Sequence, residues 1–325
     1  MKPIKKILVA SDFSGPSNTA YIYAQETARL FDATIDAIHI VPTLRYFQES
    51  LRPMVLPLDM EKNFYPQVKE QAIEKLKKEL EENIDSNYRG KAIVQIERKI
   101  AMSIADYAKK HQYDMIVIGN IGAHGSETHR GNVSERIVRK SRVPVFAVPN
   151  DTHINRINNI MVPLDFTVLS MKAIPFAVYL AKTLKAEITF MNVIELYESR
   201  ATVDLNKNEE ENTFNNLVEL ANKNLPAFLK DDDVNIVIKT GALVMQGEIH
   251  LEANGQTHII PLKGAVRKGV NAYSEIMDYA DEHADAVVMT THGSEGIAHF
   301  LLGSTTEKVV LNTDLPVITI RPEEE

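Results

Sequence analysis

No cysteine occurs among the 325 residues. That absence removes disulfides, thiol nucleophiles and thiolate zinc sites together. No apolar run is long enough to cross a bilayer, and the N-terminus leads into a charged strand rather than a secretory leader, so a cytoplasmic protein with no membrane association is expected. Cationic residues are outnumbered, 36 Lys and Arg against 44 Asp and Glu, for a net charge of −8. A nucleic-acid partner, which needs a basic face, is therefore not expected, although a small anion held by backbone groups remains compatible. Glycine is thin where a dinucleotide enzyme needs it: SDFSGPSNTA (11–20) and LDFTVLSMKA (164–173) share a single glycine, so the G-x-G-x-x-G fingerprint is missing.

What the chain does contain is a duplication. KKILVASDFS (5–14) and NNIMVPLDFT (158–167) share a polar lead, a β-branched run and an Asp before Phe and a hydroxyl residue, and Asp12 and Asp165 lie 153 residues apart. Each is followed by a helix-period segment with an Ala-rich stripe and then an apolar strand, IDAIHIV or ITFMNVI. The endings KSRVPVFAVP and NTDLPVITIRP also match. Self-similarity at half the chain length marks tandem domains rather than a solenoid, with boundaries expected at 1–150 and 157–325 and a short polar link between them. The length is that of about two domains, each able to bury its own core.

Strands are expected at 7–11, 34–41, 92–99, 115–119 and 145–148, with helices at 17–31, 61–83, 102–110 and 132–140. The second half repeats the strands near 160–164, 187–194, 234–239, 286–290 and 317–320. This alternation predicts an α/β fold, two tandem copies of an open parallel sheet covered on both faces. Ligands in such folds sit beyond the carboxyl ends of the strands, where strand order reverses. The apolar terminal strands of the two halves are the natural edges to pair, giving an intramolecular pseudo-dimer, with further homodimerisation open.

Segment 241–264 has no counterpart in the first half and reads as an insertion outside the core. Within it, Asn254-Gly255 between alternating apolar residues is a strong hairpin signal, and a projecting hairpin could cover the site, pair with a partner or be a plain surface excursion. Two further segments, 46–59 and 197–208, read as flaps beside the sites. The charged run in the helix after Asp59 reads as a solvated face.

Two loops carry the chemistry. The second half runs VVMTTHGSEGIAHFLLGSTTEKVV from a strand into a helix beginning at Gly303, Ser304, Thr305 and Thr306, and the first half has VIGNIGAHGSETHRGNVSERIV. Backbone amides at such a helix start, with hydroxyl side chains beside them, suit a phosphate chain; Ser304 or Asn132 could equally serve as an ordinary N-cap. Asp12 and Asp165 likewise could meet a ligand or cap the next turn.

These residues resemble the universal stress protein family in its tandem form, across nearly the whole chain. Nucleotide-binding members of that family carry a G-x2-G-x9-G-[ST] signature after the fourth strand and an Asp at the end of the first. The second half matches from Gly293 to Gly303 and Ser304, with Thr290 in place of the first glycine. The first half keeps Gly119 and Gly122 but has eight residues before Gly131, and Asn132 replaces the hydroxyl residue. The resemblance implies an adenine-nucleotide alpha hydrolase-like fold and a bound adenine nucleotide, ATP foremost, with or without Mg2+. Asp165 and Val193 would meet the base and ribose, while Thr290, His292, Gly293, Gly303, Ser304, Thr305 and Thr306 hold the phosphates. The weaker first-half set is Asp12, Val41, Gly119, Gly122, Gly131, Asn132 and Ser134. Glu295 counts against the second loop unless a metal ion meets it, yet its spacing makes it the preferred site.

Ser134 with His129 and Ser304 with His299 lack a third orienting group. No catalytic residue is therefore assigned, and slow ATP hydrolysis is the most expected. The loop histidines His124, His129, His292 and His299 match no zinc spacing, so no structural metal is assigned. The expected function is a nucleotide-binding stress-response protein acting as a regulatory or conformational switch. The alternative is a nucleotide-free scaffold with degenerate phosphate loops that contacts an unidentified protein.

Overall fold

A computed structural model describes residues 4–43, 64–119, 132–149, 156–195, 207–228, 233–238, 245–253, 255–291 and 303–322. Both glycine loops between 120 and 131 and between 292 and 302, the link at 150–155 and the segment 46–59 lie outside the described residues, as do 197–206 of the second flap. In the first half the elements are β1 (Lys6–Ala10), α1 (Gly15–Phe31), β2 (Thr34–Pro42), α2 (Tyr65–Asn83), β3 (Arg89–Glu97), α3 (Ile100–Lys110), β4 (Met115–Gly119), α4 (Asn132–Lys140) and β5 (Val145–Val148). The second half continues with β6 (Asn159–Pro163), α5 (Val168–Met171), α6 (Ile174–Leu184), β7 (Glu187–Glu195), α7 (Lys207–Phe228), β8 (Asp233–Ile238) and β9 (Gln246–Ala253). It ends with β10 (Gln256–Gly269), α8 (Ala272–His283), β11 (Ala286–Thr290), α9 (Ser304–Asn312) and β12 (Val317–Ile320).

Among the described residues the strands form one sheet in the order β3-β2-β1-β4-β5-β12-β11-β6-β7-β10-β9-β8. Side chains alternate across it, as strand geometry requires. Ile7, Val9 and Val117 pack on the face of α1 and α2, whereas Leu8, Ile116 and Ile118 pack on the face of α3 and α4. Strands covered on both faces read as near-continuous apolar runs, which is why the short segments KILVA and MIVIG contain so little polar residue. The stripe Ala20, Ala24 and Ala28 of α1 is fully buried, since small side chains let a helix lie close against the sheet.

The duplication is legible atom by atom. Asp114 accepts hydrogen bonds from the backbone N–H groups of Lys5 and Lys6, both at 2.9 Å, and Asp285 accepts from Asn158 and Asn159 at 2.8 and 2.9 Å. Each carboxylate thereby fixes the entry of the first strand of its half. α1 ends on Asp32 at φ 51° and α6 ends on Lys185 at φ 58°. The second copy of α1 is broken into α5 and α6 because Pro175 stands in the first turn of α6, where it has no N–H to give residue 171 and its ring crowds that carbonyl.

The halves meet where β5 and β12 pair antiparallel, Phe146 opposite Ile318. Strand order runs outward in mirrored sequence from this seam, so the halves are related by a pseudo-twofold axis.

The segment 241–264 is not outside the core, and this corrects the sequence-based expectation. β9 and β10 do form an antiparallel hairpin, Ala253 opposite Gln256, with Gly255 at φ 73°. But β10 continues past the hairpin and runs parallel to β7 from Leu262 opposite Ile188 to Gly269 opposite Glu195. It occupies the place that β3 takes beside β2. The strand expected there, β8, sits instead at the outer edge, antiparallel to β9. The cause is burial: Ile249, Leu251, Ile260 and Leu262 are at most 4 % exposed and join Phe214 and Leu217 of α7 in one apolar cluster. Gly264 lets α7 down onto the strand, since a Cβ there would stand 2.4 Å from the Phe214 ring.

Candidate functional site

In each half the chain builds outward from the first strand and then crosses to its other side, to β4 or to β11. Two crevices result at the strand carboxyl ends, the position where open α/β sheets take ligands. The first is bounded by Ser11 to Ser14 and by Gly119, the second by Leu164 to Thr167 and by Thr290.

Asp12 and Asp165 adopt the same local role. Oδ1 of Asp12 accepts from the N–H of Ser14 at 3.0 Å and from its hydroxyl; Oδ1 of Asp165 accepts from the N–H and hydroxyl of Thr167 at 3.1 and 2.6 Å. Both carboxylates cap the turn into the following helix, with the side chains exposed. The residue between lies in left-handed backbone in each case, Phe13 at φ 66° and Phe166 at φ 62°. For a bulky side chain this costs on the order of 1 kcal/mol or more, and such strain persists where the surroundings enforce it.

Two residues missed in the sequence secure these turns. His39 Nδ1 lies 2.8 Å from the Ser11 carbonyl oxygen; a carbonyl only accepts, so this nitrogen carries the proton. Asn192, at the equivalent position, donates from Nδ2 to the Leu164 carbonyl at 2.7 Å. Their signal was the shared offset of 153 residues combined with a polar side chain inside an apolar strand. In the first crevice the His39 ring also lies against Phe13, centroids 4.3 Å apart and planes tilted by 35°, and Lys75 places its Nζ 4.2 Å from the Phe13 ring.

The crevices differ in polarity. Ser11 donates to Glu79 Oε2 at 2.8 Å, and Tyr21 donates to the same oxygen at 3.1 Å. Burial, reinforced by the Glu79 charge, pushes the Tyr21 hydroxyl well above the ordinary tyrosine range. In the second half the positions of Ser11 and Tyr21 are taken by Leu164 and Ile174, both apolar and buried.

At the starts of α4 and α9, some expected phosphate ligands are occupied by the fold. Thr306 is buried and its hydroxyl donates to the Thr290 carbonyl at 2.8 Å. Ser134 donates in the same way to Gly119 at 3.2 Å. Gly119 is required by close approach, because a Cβ would meet the Pro16 carbonyl oxygen at 2.1 Å; Thr290 fills the equivalent place and is buried. Ser304 is exposed and Thr305 half-buried, and α9 begins at Gly303 with no side-chain cap. Its first amides therefore lack intrahelical acceptors. Asn132 opens α4; Gly122, Gly131, His292 and Gly293 lie outside the described residues.

Val41 and Val193 are not counterparts, which corrects their pairing as base-lining residues. Val41 packs on the face of α1 and α2, Val193 on the face of α8 and α9. The repeat offset makes Ile40 the counterpart of Val193, and a one-residue slip along a strand exchanges the faces. Among the described residues no three His, Asp or Glu side chains cluster as metal ligands, and no helix is long and apolar enough to cross a membrane.

The profile of the Universal stress protein family matches this chain twice, over residues 3–149 and 156–321. A universal stress protein of Methanocaldococcus jannaschii is 30 % identical over 151 residues, covering 44 % of this chain and 81 % of its own length. Among solved structures, a universal stress protein from Archaeoglobus fulgidus superposes with a TM-score of 0.64 at 17 % identity, over 97 % of this chain and 98 % of the other. A functionally unknown protein from Pseudomonas aeruginosa gives a TM-score of 0.52 at 13 % identity, over 98 % and 93 %.

Proposed function

The chain belongs to the universal stress protein family, and from that premise we propose that it binds an adenine nucleotide, ATP foremost, at the second crevice and acts as a regulatory switch. The observation that carries this reading is the start of α9: an uncapped helix N-terminus at Gly303 with Ser304 exposed beside it, across the strand ends from the strained Asp165–Phe166 turn. Phosphates meet the amides and hydroxyls of Ser304 and Thr305 together with the loop of His292 and Gly293, while Thr306 holds the loop's anchor at Thr290. Val193 lines the base on the face that α9 shares. Glu307, in the first turn of α9, does not oppose the phosphates as a bare charge because Arg139 pairs with it at 3.0 Å. The site works in the cytoplasm, and hydrolysis beyond a slow background is not part of its role.

Calorimetric titration of the purified chain with ATP, with and without Mg2+ and after a check for copurified nucleotide, tests this. Micromolar binding of about one nucleotide per chain, abolished by Gly303→Val, is expected. Absence of both binding and copurified nucleotide overturns the reading.

A further inference from the structure

A groove of about 430 Å3 lies in the first half between the start of α3 and the outer side of α4. Arg98, Lys99, Arg136 and Lys140 line it together with Ile100, Ala101, Met102 and Val133, and among the described residues no carboxylate does. Met102 and Val133 are 45 % and 42 % exposed, so an apolar floor sits open to solvent beneath a cationic rim. The side chains of Arg98, Lys99 and Arg136 make no ion pair or hydrogen bond with any described residue. The one acid of α4, Glu135, is taken by Arg139. On a chain of net charge −8, Arg98, Lys99 and Arg136 gathered around one cavity concentrate positive potential there.

The second half supplies an internal control. The helices α3 and α8 correspond with an offset of 172 residues, as do α4 and α9. At the equivalent positions Arg98 becomes Val270, Lys99 becomes Asn271, Met102 becomes Ser274 and Lys140 becomes Asn312. Asn271 caps its helix by accepting from Ser274 N–H at 3.0 Å, whereas α3 has no side-chain cap and no acid in its first turn. Arg136 becomes Lys308, whose Nζ lies 4.7 Å from the Tyr273 ring. The same place in the fold is thus capped in one copy, with its single cation set against an aromatic ring, and is richer in cations, uncapped and open in the other.

We propose that this groove of the first half is an anion site for a phosphorylated small molecule with an apolar body. The phosphate sits among Arg98, Lys99 and Arg136, where guanidinium forks and the free amides of α3 meet its oxygens, and the apolar part covers Met102 and Val133. The volume is that of a small-ligand pocket. The site shares none of its lining side chains with either crevice.

The test titrates the full chain with 1-naphthyl phosphate, using inorganic phosphate for comparison, and follows methionine methyl resonances. The expected result is one site per chain, tighter for the naphthyl compound, with a shift at the Met102 methyl. R98Q/R136Q weakens binding at least tenfold without moving the thermal midpoint, M102S weakens the naphthyl compound but not inorganic phosphate, and K308Q changes nothing. No binding by the unaltered chain, equal binding by R98Q/R136Q, or shifts confined to other methionines overturns the proposal. Loss of ATP binding in Gly303→Val with naphthyl phosphate binding retained is the further expected outcome.

Discussion

Arg139 of the first half reaches across the seam to Glu307 of the second at 3.0 Å, and less than a third of either side chain is exposed. The same guanidinium also pairs with Glu135 four residues earlier. Glu135 and Glu307 are equivalent by the repeat, but the counterpart of Arg139 is Leu311, so one cation serves both acids and the pseudo-symmetry breaks at this point.

Arg139→Leu leaves two half-buried carboxylates without their cation. A loss of about 1–3 kcal/mol is expected in urea unfolding, and a double-mutant cycle with Glu307→Gln should return a coupling of at least about 0.5 kcal/mol. Additivity of the two changes would mean that the pair does not hold the seam.

Tyr113 donates to Asp36 at 2.6 Å in the interior, and Asp36 also accepts from the Lys91 N–H at 2.6 Å. Burial first, and then the Asp36 carboxylate, raises the tyrosine pKa above its ordinary value. The folded chain therefore keeps a proton that the unfolded chain releases above about pH 10. Its contribution is whole below that pH and drains away as pH rises further. Melting curves from pH 8 to 11 should fall off steeply above 10, and less steeply in Tyr113→Phe, which itself costs about 1.5–3 kcal/mol at neutral pH.

Leu262→Ala should cost about 2–5 kcal/mol, because Leu262 is 1 % exposed and opens the parallel run with β7. Deleting 241–264 should leave the second half unable to complete its sheet, seen as loss of its cooperative unfolding transition. A deletion that melts like the intact chain would restore the reading of this segment as a surface insertion.

Gly119→Ala places a methyl group against the Pro16 carbonyl oxygen. Backbone must shift to admit it, and about 1–3 kcal/mol of destabilisation is expected from chemical denaturation. Thr290→Ala at the equivalent place removes a buried side chain without such a clash, so it should not reproduce the effect of overpacking.

The β-branched runs, the Ala stripe and the repeat at 153 residues were enough to read out the α/β class, the tandem copies and most strands, because each is a local pattern with one physical cause. The position of β10 was not legible in the same way. VNIVIK looks more strand-like than GAVRKG, yet which of them lies beside β7 is decided by burial under Phe214, a long-range contact that no local period reports. Val193 and Val41 were assigned together as base-lining residues through the family resemblance, whereas the offset places Val193 with Ile40 on the opposite face. The roles of Asp12, Asp165, Ser134 and Thr306 depend on hydroxyl and carboxylate geometry within a few residues. Sequence could name them as candidates but could not tell a cap from a contact.

The antiparallel seam of β5 with β12 has a consequence beyond joining two sheets. In a symmetric dimer every substitution appears twice, so a change that suits one crevice is imposed on the other. Covalent fusion lifts that constraint. Ser11, Glu79 and Tyr21 can build a polar knot in one half while Leu164 and Ile174 keep the other dry, and Arg98 can open a groove where Val270 does not. One polypeptide thereby presents two non-identical crevices at a fixed ratio of one to one, independent of protein concentration.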